Sequence, residues 1–76
     1  MSKQEQLIEF TIQDIIRYLV SDLHIEYDDA MNIFYNSETF DKLQDIETGL
    51  YLDSSAYVYN ILQDELNFGR IVQTEI

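Results

Sequence analysis

Ile8-Glu9-Phe10-Thr11-Ile12-Gln13-Asp14-Ile15-Ile16-Arg17-Tyr18-Leu19-Val20-Ser21-Asp22-Leu23 is the stretch that decides the fold. Ile8, Ile12, Ile15, Leu19 and Leu23 recur at spacings of four, three, four and four. That rhythm stacks them in one apolar stripe along a helix. Ile16 widens the stripe, while Gln13, Asp14 and Arg17 fall on the opposite side with Phe10 among them. An amphipathic helix of this length must bury its stripe against something, and the pattern predicts it from about Gln4 to Leu23.

Working outward, Tyr27 to Tyr35 reads as a second helix with Ala30, Ile33 and Phe34 inside and Met31 and Tyr27 alongside. Asp28 and Asp29 fall in its first turn, where carboxylates suit the positive end of the helix dipole. His24, at the end of the first helix, is placed to interact with that helix's last carbonyls. Ser37 reads as the N-cap of a third, shorter helix from Glu38 to about Asp45, with Phe40 and Leu43 as a narrow buried edge. Glu47-Thr48-Gly49 reads as a turn, and Leu50-Tyr51-Leu52 as a short extended connection. The capping cluster Asp53-Ser54-Ser55 then opens a last helix that runs to Phe68, with Val58, Ile61, Leu62 and Leu66 facing in. Gly69 supplies its C′ residue. Arg70 to Ile76 lacks helical periodicity and reads as a short extended tail. The expectation is one all-α domain over residues 1–76, with an ordered core from about 5 to 69. Long first and last helices flank two short ones.

Composition bounds the chemistry. Hydrophobic residues make up 46% of the 76-residue chain and aromatics 13%, a globular composition rather than that of a disordered acidic segment. A chain of this size buries only roughly 60–65% of its unfolded surface, so its stability margin is small. The absence of cysteine excludes disulfides, thiol nucleophiles and thiolate metal sites, and favours a reducing compartment. No basic flank precedes an apolar run, and no run reaches ~18 apolar residues. The sequence therefore predicts a cytoplasmic protein with no signal peptide and no membrane span. Fifteen acidic residues against four basic ones leave a net charge of −11. That field repels phosphate backbones and anionic membranes, so it argues against direct nucleic-acid binding and for a basic protein partner. The same charge also serves solubility.

No catalytic, cofactor or metal constellation stands out. His24 is the one histidine, and it would need a converging Ser or Asp to act as a base. Asp41, Asp45 and Glu47 lack the alternating ligands and central glycine of a calcium loop. Two isolated glycines cannot build a phosphate cradle. Glu65 is the titratable residue of most interest, because helical spacing sets it between Val58, Ile61 and Leu62 on the inner stripe. It reads either as a carboxylate that snorkels outward near the helix end, or as a buried polar anchor fixing helix register, or as a contact for a partner's arginine. Tyr51, Tyr57 and Tyr59 cluster around the start of the last helix. Tyr57 and Tyr59 lie about 200° apart on a helix, so one of the two faces solvent. Phe10 and Val20, off the main stripe, offer a seam for a homodimer or a seat for the tail. The candidate partner-binding residues are accordingly Tyr51, Tyr57, Tyr59, Glu65 and Phe10.

Tyr35-Asn36-Ser37-Glu38-Thr39-Phe40-Asp41-Lys42-Leu43, followed by Glu47-Thr48-Gly49-Leu50-Tyr51-Leu52 and Ser55-Ala56-Tyr57-Val58-Tyr59, resembles a group of short uncharacterised bacterial proteins. Their shared pattern is Asn-Ser-x-Thr, Thr-Gly-Leu-Tyr and Ser-x-x-Tyr, and the resemblance covers roughly residues 30 to 66. It implies a small helical protein in an antitoxin or accessory role beside toxin-like genes, and it brings no catalytic residue with it. Caps and turns account for most of the same residues. The function expected is a non-enzymatic protein-interaction module. A DNA mimic and a self-associating structural protein are the alternatives.

Overall fold

The computed structural model describes residues 2–69, so the tail expected at 70–76 lies outside the described residues. Four α-helices follow one another: α1 (Lys3–Leu23), α2 (Tyr27–Tyr35), α3 (Glu38–Gln44) and α4 (Ser55–Phe68). No strand occurs among the described residues. The all-α architecture with long outer and short inner helices is the one that the sequence predicts.

The start of α1 is fixed by a reciprocal cap. The Ser2 hydroxyl accepts the Glu5 N–H at 3.1 Å, and the Glu5 carboxylate accepts the Ser2 N–H at 3.1 Å. Two otherwise free amides are thereby satisfied. The stripe then buries Ile8, Ile12, Ile15, Ile16 and Leu19, with Thr11 beside them. Leu23, the last member expected, is instead 47% exposed. The reason is local, since the chain leaves the helix at His24, which adopts a left-handed backbone (φ 55°). Ile25 takes over and packs against the core from beyond the turn.

From α2 the core receives Ala30 and Phe34, with Met31 and Ile33 partly buried; Tyr27 stays at the surface and its hydroxyl reaches Gln13. Phe34 meets Phe40 of α3 edge-on at 5.3 Å between ring centres, and Tyr35 lies 4.8 Å from the same ring. These aromatic contacts tie α3 to α2. Leu43, Leu50, Val58, Tyr59 and Leu62 complete the buried cluster.

Between α3 and α4 the structure corrects one expectation. Residues Leu50–Leu52 form a single 3-10 turn, preceded by another at Ile46–Thr48. Three residues with no neighbouring strand would leave their backbone groups unpaired if extended. Here the Leu52 N–H bonds the Gly49 carbonyl and the Asp53 N–H bonds the Leu50 carbonyl. Thr48 sets up the change of direction: its hydroxyl lies 2.8 Å from both the Lys42 and Asp45 carbonyls and accepts from the Leu50 N–H. Gly49, at φ 69°, tolerates the left-handed conformation that joins the two turns.

The inward face of α4 is wider than the expected one, and shorter at its C-terminal end. Val58 and Leu62 are buried as predicted and Tyr59 is buried beside them, while Leu66, on the same face but in the last turn of the helix, is 45% exposed. Contacts with α1 draw Tyr59 in: Ser55 donates to Asp14, and Tyr59 reaches Tyr18 and Asp22. The described residues fill a slab of 34 × 32 × 18 Å. At under two helix diameters thick, such a slab leaves large side chains on both faces.

The left-handed His24 provides a test of the turn. A β-carbon in that conformation costs about 1–2 kcal/mol, which glycine avoids while losing more chain entropy on folding. His24→Gly is therefore expected to raise stability by about 0.5–1 kcal/mol, read as a higher urea midpoint with an unchanged slope. A lower midpoint would mean that the imidazole makes a contribution larger than the strain.

Candidate interaction surface

The five candidate residues divide into inward and outward groups. Tyr59 is buried, with its ring 5.1 Å from that of Tyr18 and its hydroxyl donating to Asp22 at 2.8 Å. Burial first, then the hydrogen bond to Asp22 and the charge of that carboxylate, hold the Tyr59 phenol well above its ordinary range. Tyr57, on the other side of the helix, is half exposed. The angular argument thus separates the pair as expected, with Tyr57 as the solvent-facing member. Tyr51 is partly buried against the core, and Phe10 is largely exposed. Val20 is partly buried and packs against the core, whereas Phe10 is 67% exposed.

Glu65 is neither snorkelled into solvent nor enclosed in the core. Its carboxylate sits across the start of α3, accepting the Glu38 N–H at 2.7 Å and, on the other oxygen, the Thr39 N–H at 3.0 Å and the Thr39 hydroxyl at 2.8 Å. The anchor reading describes it best, with α3 rather than α1 as the element anchored. Ser37 completes the arrangement, accepting the Phe40 N–H at 3.1 Å and donating to the Phe34 carbonyl at 2.6 Å. All three amides at the start of α3 are therefore held by side chains, two of them by a residue 26 or 27 positions away. Bonds to a charged acceptor contribute about 1.5–3 kcal/mol when buried. With Glu65 only half-buried, the set contributes about 2 kcal/mol.

The other sequence candidates have local roles or none. Asp45 accepts the Glu47 N–H and caps the first 3-10 turn. No group of three or more His, Asp or Glu side chains able to hold a metal occurs among the described residues. No buried side-chain nitrogen or oxygen lacks a partner among them either.

What remains at the surface is charge and apolar area. Arg17 with Asp14 forms the ion pair observed among the described residues, at 2.8 Å. Exposed apolar side chains include Phe10, Leu52, Tyr57 and Phe68. A groove of roughly 650 Å³ runs between the first turns of α1 and the end of α3. Ile8, Ile12 and Ile46 supply its apolar lining, with Glu5, Glu9, Gln4 and Gln44 around them. Sequence reasoning missed this groove because Ile46 belongs to no periodic stripe. The one available signal is an isoleucine flanked by Asp45 and Glu47 in an otherwise polar turn. No helix of the described residues is long and apolar enough to cross a membrane. Comparison with protein-family models, with curated proteins and with solved structures found no match to this chain, so its own residues carry the functional reading.

The Tyr59 phenol links the α1–α4 contact to pH. Its ionisation is held higher in the folded chain than in the unfolded one, so its contribution to stability is complete below about pH 10 and is lost as pH rises further. Tyr59→Phe is expected to cost about 1 kcal/mol at pH 7 through loss of the Asp22 bond. Between about pH 9 and 11 its stability should fall less steeply than that of the parent chain. Parallel slopes in urea unfolding across that range would contradict this assignment.

Proposed function

We propose that this protein is a non-enzymatic interaction module that docks onto a basic protein, in the manner of an antitoxin or a regulatory subunit. The observation that carries the reading is unbalanced charge: fifteen carboxylates face four basic side chains. Some of those carboxylates are used internally, as caps or hydrogen-bond acceptors, at Glu5, Asp14, Asp22, Asp45 and Glu65. Glu9, Glu26, Asp28, Asp29, Glu38, Asp41, Glu47, Asp53 and Asp64 are all exposed. A field of this sign accelerates encounter with a cationic surface and rejects nucleic acid and anionic membrane. Half-exposed tyrosine, as at Tyr57, adds contact area at small entropic cost.

The test is affinity capture from the organism of origin, followed by purification of the retained protein and measurement of its Kd at several salt concentrations. The expected partner is basic, and its affinity falls at least about tenfold between 0.05 and 0.5 M salt, as exposed charge pairs are screened. A purified partner that is acidic, or one bound equally at both salt concentrations, contradicts the proposal.

A further inference from the structure

The geometry points to the groove between the start of α1 and the end of α3 as the docking site for an amphipathic basic segment of the partner, which would insert an aliphatic side chain between Ile8, Ile12 and Ile46 and set lysine or arginine against Glu9. This rests on the reading of the protein as a docking module for a basic partner, and adds where the partner is held.

Three properties coincide at this groove. Three isoleucines supply its apolar part, and Ile46 is 46% exposed although it sits in a turn, where an apolar side chain gains nothing from solvent. Its walls belong to elements held by caps: Ser2 and Glu5 fix the first turn of α1, while the Asp45 carboxylate and the Thr48 hydroxyl fix the turn that carries Ile46. The surface that would receive a side chain is therefore preorganised, which reduces the ordering cost of binding. Finally, its rim has one sign. Glu5 and Glu9 line it, and Asp45 and Glu47 flank Ile46 in sequence, with no basic residue in the lining.

Charge complementarity selects the occupant. A second copy of the chain brings another net −11 and would set like charges together. Residues 70–76 contain one arginine and one glutamate, so they offer this rim no net positive charge. A segment with an aliphatic residue between lysines or arginines satisfies both the lining and the rim, in the way that amphipathic segments lie in grooves.

The probe is a synthetic amphipathic peptide of about 18 residues with leucine on one face and lysine on the other. A peptide of equal charge without leucine is the control. Both are titrated into the full chain carrying labelled isoleucine methyl groups and observed by NMR. The amphipathic peptide is expected to shift the Ile8, Ile12 and Ile46 signals saturably, and the control to bind at least about tenfold more weakly. Ile46→Asp and, separately, the rim change Gln44→Arg should each weaken the amphipathic peptide several-fold. Glu9→Gln should weaken it at low salt and match the parent at about 0.5 M. Because Gln44 and Glu9 are exposed, these two variants report on docking even if Ile46→Asp disturbs its turn.

Saturable binding that shifts signals elsewhere, with Gln44→Arg and Glu9→Gln without effect, would overturn the groove assignment and leave the basic-partner reading standing. Failure of this peptide to bind while the purified basic partner binds would do the same. Absence of binding by both peptide and partner would overturn the two together. Two other outcomes also overturn the assignment: shifts of the groove isoleucines on adding unlabelled chain, which would reveal a second copy as occupant, and shifts of the same signals on truncation after Gly69, which would reveal residues 70–76.

Discussion

The short third helix depends on a carboxylate that belongs to another helix. Seven residues are too few to hold a helix in water, since nucleation costs more than one turn of hydrogen bonds returns. Phe40 and Leu43 give α3 a buried edge, yet burial alone would leave its first amides without acceptors beside a fully buried Thr39. Glu65 supplies both acceptor oxygens from α4, and its negative charge lies at the positive end of the α3 dipole. The same contact fixes where α4 crosses α3. It thereby constrains the path through Thr48 and Gly49 that connects the two helices and positions Ile46.

Much of the fold is legible in the sequence because the interactions that define it are local. The α1 stripe follows from a period of 3.6 acting on isoleucine and leucine, and it names the buried side chains up to Leu19. Ser37 and Ser54 each cap a helix through an amide three residues ahead, a distance that sequence spacing can report. The Ser2–Glu5 box obeys the same rule. Glu65 is legible only as an anomaly, a carboxylate on an apolar stripe. Its partner is not, because Thr39 is 26 residues distant and nothing in a helical wheel selects it. Tyr59 illustrates the same limit: its hydroxyl finds Asp22 across 37 residues, and that contact brings its ring inside. Leu50–Leu52 reads as extended on composition, whereas the Thr48 hydroxyl and the Gly49 backbone wind it into a 3-10 turn.

The surface has a similar history of partial legibility. The size and sign of the charge are plain in the composition, but the division of labour among the carboxylates is not. Some stabilise the chain as caps, while others remain outward with no counter-ion near them among the described hydrogen bonds and ion pairs. A domain this small carries that repulsion on a modest core, so polar contacts such as those of Glu65 and Ser37 weigh more than they would in a larger protein. The docking onto a cationic surface that we propose would relieve this repulsion.

Native-state hydrogen exchange at the Glu38 and Thr39 amides tests the role of Glu65 most directly. The first amides of a helix have no intrahelical acceptor and ordinarily exchange freely. Here both should be protected in the parent chain and lose that protection in Glu65→Ala, with the α1 amides at Ile15 and Ile16 still slow to exchange. Unprotected Glu38 and Thr39 amides in the parent chain, or equal protection in Glu65→Ala, would contradict the claim that Glu65 holds α3 in place.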